Sequence, residues 1–235
     1  VPVITRRELS AYFLSPIAYV VLTAFALMQG ILWSLSLGPR IDPAMSCENA
    51  LAIPMYLLVL AAPVITMRLL SEETSRGTIE TLMTTPVTEV EVVLGKFVGA
   101  LVFAVAMFLP ILGTFIFLRL LGPWDTNPVL SGALGLFLLT AQFISIGLLC
   151  SALTRIQIAS AIMSFAILIG LYFLWFLGRE SEAAWARLLR YLSPPWHYFG
   201  FLKGVVDTRD LTYFAVTTVI FLFLTVRALQ LRKWR

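Results

Sequence analysis

Charge is scarce in this chain: Asp, Glu, Lys and Arg together supply 13% of 235 residues, whereas 60% are apolar. Ordinary soluble domains carry about twice that charged share, so the composition excludes one and selects an integral membrane protein. Histidine occurs once, at His197, and no His-Glu-x-x-His spacing exists, which leaves zinc hydrolysis without a ligand set. Walker A is missing as well. The nearest fragment, Gly95-Lys96-Phe97, lacks the upstream glycine spacing and the Ser or Thr that would hold magnesium, so the chain is not expected to hydrolyse ATP by itself. The net charge of +4 comes from basic residues scattered at the ends of apolar runs rather than massed on a stripe, which speaks against nucleic acid as a partner. Charged residues are also absent from the middles of the apolar runs, against a proton- or sodium-coupled carrier built on buried carboxylates. No cleavable leader is expected, because the first apolar run already has the length of a spanning helix.

What the chain has is apolar length. A bilayer core of about 30 Å needs roughly 20 apolar residues in a helix. Six runs qualify, near 17–37, 51–68, 92–118, 129–152, 156–177 and 211–229. They lack the alternation of barrel strands, so the expectation is an all-α membrane protein with six transmembrane helices in a single domain, 1–235. An even count puts both termini on one side. Arg6, Arg7, Arg68, Arg76, Lys96, Arg155, Arg227, Arg232, Lys233 and Arg235 fall on that side, against seven basic residues on the other, five of them in one long loop near 178–210. Cytoplasmic termini follow from the bias. Cys47 and Cys150 then lie on opposite sides, and no internal disulfide is expected.

Two flanking segments have amphipathic character. Arg6-Arg7-Glu8-Leu9-Ser10-Ala11-Tyr12-Phe13-Leu14 precedes the first span and can lie flat at the interface, or serve only as its positive flank. In the long loop, Ser181 can cap a helix in which Ala184, Trp185, Leu188, Leu189 and Leu192 repeat at helical spacing. Pro194-Pro195 is read as its stop, and Trp196, Tyr198, Phe199 and Phe201 as rings for the membrane interface. His197 in that aromatic segment is expected to be an interfacial filler rather than a metal or acid-base group. Polar residues inside the runs, such as Gln29, Thr140, Gln142, Ser145, Ser160 and Ser164, are expected as interhelical hydrogen-bonding glue or as a lining for an amphiphile's polar part. Pro54, Pro63 and Pro110 can kink spans two and three.

The most informative stretch is the charged island between those two spans. Ile79, Leu82 and Met83 sit at i, i+3 and i+4, so a short helix near Thr78–Thr85 would show one apolar edge before Pro86 ends it. Gly77 permits a positive φ just ahead, Glu72, Glu73 and Glu80 add a negative rim, and Thr88-Glu89-Val90-Glu91 forms a capping box for the next span. Such an element either docks a partner or turns the chain back with its apolar side on its own bundle.

The run from Ser71 to Val87 resembles the EE-x-x-x-GT-x-E-x-L-x-x-x-PV signature of ABC-2 type transporter permeases. Segments Thr5 to Leu9, Ser15 to Tyr19, Leu94-Gly95-Lys96-Phe97 and Gly204 to Asp210 resemble the gliding-motility-type (GldF-like) branch. The resemblance implies the ABC-2 (type V exporter-like) permease fold, with an N-terminal interfacial helix, a cytoplasmic coupling helix and an amphipathic or re-entrant helix in the outer loop. It implies a bacterial plasma-membrane location, a second permease copy or paralogue, and a cytoplasmic ABC ATPase that binds the ATP and magnesium, so no cofactor belongs to this chain. The coupling set would be Glu72, Glu73, Gly77, Thr78, Ile79, Glu80, Leu82, Met83 and Pro86, with Ile79, Leu82 and Met83 as contact edge. The glutamates would orient the helix, against either the ATPase or the permease's own interfacial helix. A lipidic or amphiphilic cargo is the expectation; a carrier or channel without ATPase, or an anchor of an envelope or gliding machine, are the alternatives.

Overall fold

A computed structural model of the chain describes residues 2–37, 43–75, 77, 88–122, 125–179 and 184–233. Those residues form helices α1 (Pro2–Phe13), α2 (Pro16–Ser36), α3 (Pro43–Thr66), α4 (Ser71–Ser75), α5 (Glu89–Ala106) and α6 (Leu109–Leu121). The second half adds α7 (Thr126–Leu153), α8 (Gln157–Arg179), α9 (Ala184–Leu192), α10 (Pro194–Leu202) and α11 (Thr208–Lys233). Among the described residues there is no strand. Six stretches are long and apolar enough to cross a membrane: Pro16–Ser36, Ser46–Ser75, Glu89–Leu120, Thr126–Leu153, Gln157–Gly178 and Thr208–Leu231. The six expected spans are all present, and the fold is all-α.

The fourth span, α7, is the axis of the bundle. Of its most apolar window 72% is buried, against 17% for α2 and for α8, and α3, α8, α10 and α11 pack around it. In lipid, where surrounding tails are as apolar as leucine, such packing is held by close van der Waals fit and small residues rather than by exclusion of water. Glycines of α7 supply the fit. A Cβ on Gly135 would stand 2.7 Å from the Phe201 ring, and one on Gly132 would stand 2.7 Å from Leu51 Cδ1. Two apolar clusters fill the bundle, one around Ile65, Phe103 and Leu148 toward the termini, the other around Met55, Phe143 and Phe214 toward the opposite face.

The prolines act as their chemistry requires. Pro110 has no N–H to continue the third span, which breaks at Met107–Phe108 into α5 and α6, the two turn residues bonding back to Ala104 and Val105 instead. Pro54 lies inside α3 and cannot donate to the carbonyl of Ala50; Gln29 of α2 donates to that carbonyl at 3.0 Å. Gln142 likewise bridges helices, donating to Thr217 at 3.0 Å and to Tyr213 at 3.3 Å. Thr140 and Ser145 instead bond within their own helix. Both cysteines are buried and unpaired.

The long loop departs from expectation at its prolines and at its aromatic rings. Ser181, the expected cap, lies outside the described residues. Pro194 and Pro195 do not merely stop α9; they occupy the first turn of α10, where a missing N–H costs nothing. The aromatics of α10 are mostly core: Tyr198 and Phe201 are fully buried, Tyr198 donating to the Leu51 carbonyl at 2.8 Å, and Trp196 alone of the named rings is exposed by half. Finally, α9 packs on α8 through Ala186 and Arg190 at Gly178, leaving Trp185 and Leu188 facing outward.

Candidate functional site at the face carrying the termini

The N-terminal helix is laid on the third span by a run of matched small and large side chains. Thr5, Glu8 and Tyr12 recur on one side of α1 and meet Gly95, Lys96, Gly99 and Phe103 of α5. The Gly95-x-x-x-Gly99 spacing permits the approach: a Cβ on Gly99 would stand 2.9 Å from Glu8 Cβ. Thr5 donates to the Gly95 carbonyl at 3.2 Å, and the Tyr12 ring stacks on Phe103 at 4.7 Å. Burial and the Glu8 carboxylate push the Tyr12 hydroxyl well above its usual range, with Arg68 opposing. It therefore stays neutral and donates to the Ile65 carbonyl at 2.8 Å, one of the acceptors left over where α3 ends.

At the centre lies an ion cluster. Lys96, 1% exposed, sits inside α5. Its ammonium is 2.9 Å from Glu8 Oε1 of α1 and 2.9 Å from Glu73 Oε1 of α4. Arg7 closes the ring at 2.8 Å from the same Glu73 oxygen and 3.6 Å from Glu8. Two cations and two carboxylates thus neutralise one another where three elements distant in sequence converge. A buried lysine is tolerated only with such partners.

The segment that carries Glu73 is anchored from its other side by the fourth span. The backbone turns at 67–70, between α3 and α4, and the N–H groups of Leu70 and Ser71 both donate to Ser151 Oγ at 3.0 Å. Ser151 in turn donates to the Met67 carbonyl at 3.3 Å. One hydroxyl therefore satisfies three backbone groups of a buried chain break. Gly147, one turn earlier, leaves room for Thr66, whose Cβ would stand 2.8 Å from a side chain there.

Of the residues singled out from sequence, Glu72 and Glu73 lie on α4, and Gly77 adopts φ +70, the conformation glycine was expected to supply. Thr78, Ile79, Glu80, Leu82, Met83 and Pro86 lie outside the described residues. The capping box at the start of α5 is formed, Thr88 Oγ1 accepting from the Glu91 N–H and the Glu91 carboxylate from the Thr88 N–H. Between the two partners considered for the glutamates, Glu73 is engaged by the chain's own interfacial helix and third span. Arg7, Glu8, Lys96 and Ser151 were not foreseen as members of the site. A lysine one full turn inside an apolar run was the available signal, since it demands a counter-ion.

At the opposite face His197 is no interfacial filler. It is buried in α10, with Nδ1 2.6 Å from Asp210 Oδ1, Nε2 2.8 Å from the Tyr191 carbonyl, and its ring stacked on Tyr213 at 3.9 Å. Among the described residues no group of three or more His, Cys, Asp or Glu could hold a metal ion.

Six helices long and apolar enough to cross a membrane, with an N-terminal helix clamped to the third of them, define a multi-pass membrane protein. The family model for ABC-2 family transporter proteins matches residues 14–231, nearly the whole chain, and the protein belongs to that family. No curated protein matches the chain.

Proposed function

We propose that the chain is the permease subunit of an ATP-driven exporter of the gliding-motility-type branch, powered by a separate cytoplasmic ABC ATPase and paired with a second permease copy or paralogue. Both termini face the cytoplasm of a bacterial plasma membrane, and residues 77–85 form the coupling element, closed by Pro86. The observation that carries the reading is the shared Glu73 oxygen, which ties the root of that element to α1 and α5 at once. Closure of the nucleotide-binding pair would push on the element, and the cluster would pass the displacement to the interfacial helix and the third span rather than dissipate it in a loose loop. A lipidic or amphiphilic cargo fits a bundle whose described interior sets two large apolar clusters beside scattered buried polar groups.

Replacing Ile79, Leu82 and Met83 with Asp tests the docking role. The expected result is a permease that still inserts and migrates as a folded species but no longer retains an ATPase on affinity purification. An ATPase that stays bound overturns the assignment of the contact edge.

A further inference from the structure

A cavity of about 490 Å³ opens beside the ion cluster, between α1, α2, α3 and α5. Its walls divide by chemistry. One wall is charged, from Arg7, Glu8, Arg68, Glu72, Glu73 and Lys96, and the other is apolar, from Ala18, Val21, Val64, Ile65 and Phe103. Ile17 and Val64, on the apolar rim, are 44% and 38% exposed on the flanks of two spans, so that rim faces hydrocarbon.

The charges are not equally engaged. Arg7 and Lys96 are held by Glu8 and Glu73. Arg68 makes no ion pair or hydrogen bond to another described residue, and its Nε is buried without an acceptor. A buried guanidinium N–H with no partner is costly, and a ligand that supplies an anionic oxygen removes that cost. The planar fork of arginine matches phosphate in particular. Three cations and three carboxylates make the charged wall neutral overall, which suits a dipolar group rather than a bare anion.

We propose that this cavity binds the headgroup of a zwitterionic phospholipid from the leaflet on the face carrying the termini. The phosphate sits on Arg68, the ammonium turns toward the carboxylates, and the acyl chains leave along Ile17, Val21 and Val64. The inference needs only that the chain spans a membrane, and stands apart from the ATPase reading.

The test uses the full chain purified in a maltoside detergent, which carries no phosphate. A photo-crosslinkable phosphatidylethanolamine is titrated beside a diacylglycerol probe with the same chains, and labelled peptides are mapped by mass spectrometry. Saturable labelling of segments 7–21 and 64–72 by the phosphatidylethanolamine alone is expected, unchanged by excess inorganic phosphate. Arg68→Gln should reduce it about tenfold, the worth of one charge-assisted hydrogen bond. Arg68→Lys, which keeps the charge without the fork, should lose less than Arg68→Gln, and Val64→Trp, at a half-exposed position on the apolar rim, should block labelling while leaving the protein folded. Equal labelling by diacylglycerol would mark a greasy cleft, and displacement by inorganic phosphate would mark a soluble-anion site; either overturns the proposal, as does an Arg68→Gln protein that labels normally.

Discussion

The ammonium of Lys96 lies 2.9 Å from Oε1 of Glu73, with the lysine side chain 2% exposed and the glutamate side chain 16%. A charge pair this sheltered from water is not screened like a surface salt bridge, and losing either member costs the other a buried partner. Because Glu8 and Arg7 share the same two residues, the pair is the knot at which α1, α4 and α5 are tied.

A double-mutant cycle measures that knot. Glu73→Gln and Lys96→Met should each destabilise the protein by about 1–3 kcal/mol, below the full cost of a stranded buried charge, because Glu8 still faces Lys96 and Arg7 still faces Glu73. The double variant should be less damaged than the sum by about 1–3 kcal/mol. Thermal or chemical unfolding in detergent gives all four values, and strict additivity would mean that the two residues do not act on each other.

Ser151→Ala should loosen the turn at 67–70 and the start of α4 without disturbing the spans. The variant leaves the N–H groups of Leu70 and Ser71 without their acceptor, at a cost of about 1–3 kcal/mol. Hydrogen exchange should accelerate at residues 70–75 and stay unchanged in α7 and α11. Unaltered protection at Leu70 and Ser71 would show that the serine hydroxyl is not what holds the turn.

His197→Phe retains an aromatic ring against Tyr213 but removes the bonds to Asp210 and to the Tyr191 carbonyl. A loss of about 2 kcal/mol is expected, because a hydrogen bond to a charged group is removed from a buried site. A Phe variant that melts like the parent would restore the plain filler role.

The parts of this architecture legible in the sequence are those governed by local chemistry. Apolar length marked the spans, Thr88 and Glu91 announced their capping box, Gly77 its positive φ and Pro110 its break. What escaped was pairing across the chain. Gln29 and Pro54 were both noted, yet only the packed bundle brings the amide of one to the carbonyl freed by the other. The rings of Tyr198 and Phe201 read the same whether they end at a headgroup or in a core, since an amphipathic aromatic suits either. Arg7, Glu8 and Lys96 read as separate flanking charges, and Glu73 as part of a negative rim, because the spacing between them is set by tertiary approach at Gly99, not by any helical period.

The orientation of the bundle can be tested with the protein's own cysteines left in place. Cys47 and Cys150 are 4% and 0% exposed, so neither should react with a membrane-impermeant maleimide in intact cells, and the background is low. Asp207 and Arg155 are exposed, the first beside the loop ahead of α11, the second between α7 and α8 at the face that carries the termini. With the termini cytoplasmic, as the distribution of Lys and Arg implies, Asp207→Cys should label from outside, whereas Arg155→Cys should label only after the membrane is opened. The reverse pattern would turn the bundle over and put the Glu73 cluster where no cytoplasmic ATPase could reach it. Both substitutions replace exposed side chains outside the packed bundle, and the loss of the Asp207 cap on the Arg209 N–H costs about 1 kcal/mol at the start of α11, too little to move the loop across the membrane, so labelling reports position.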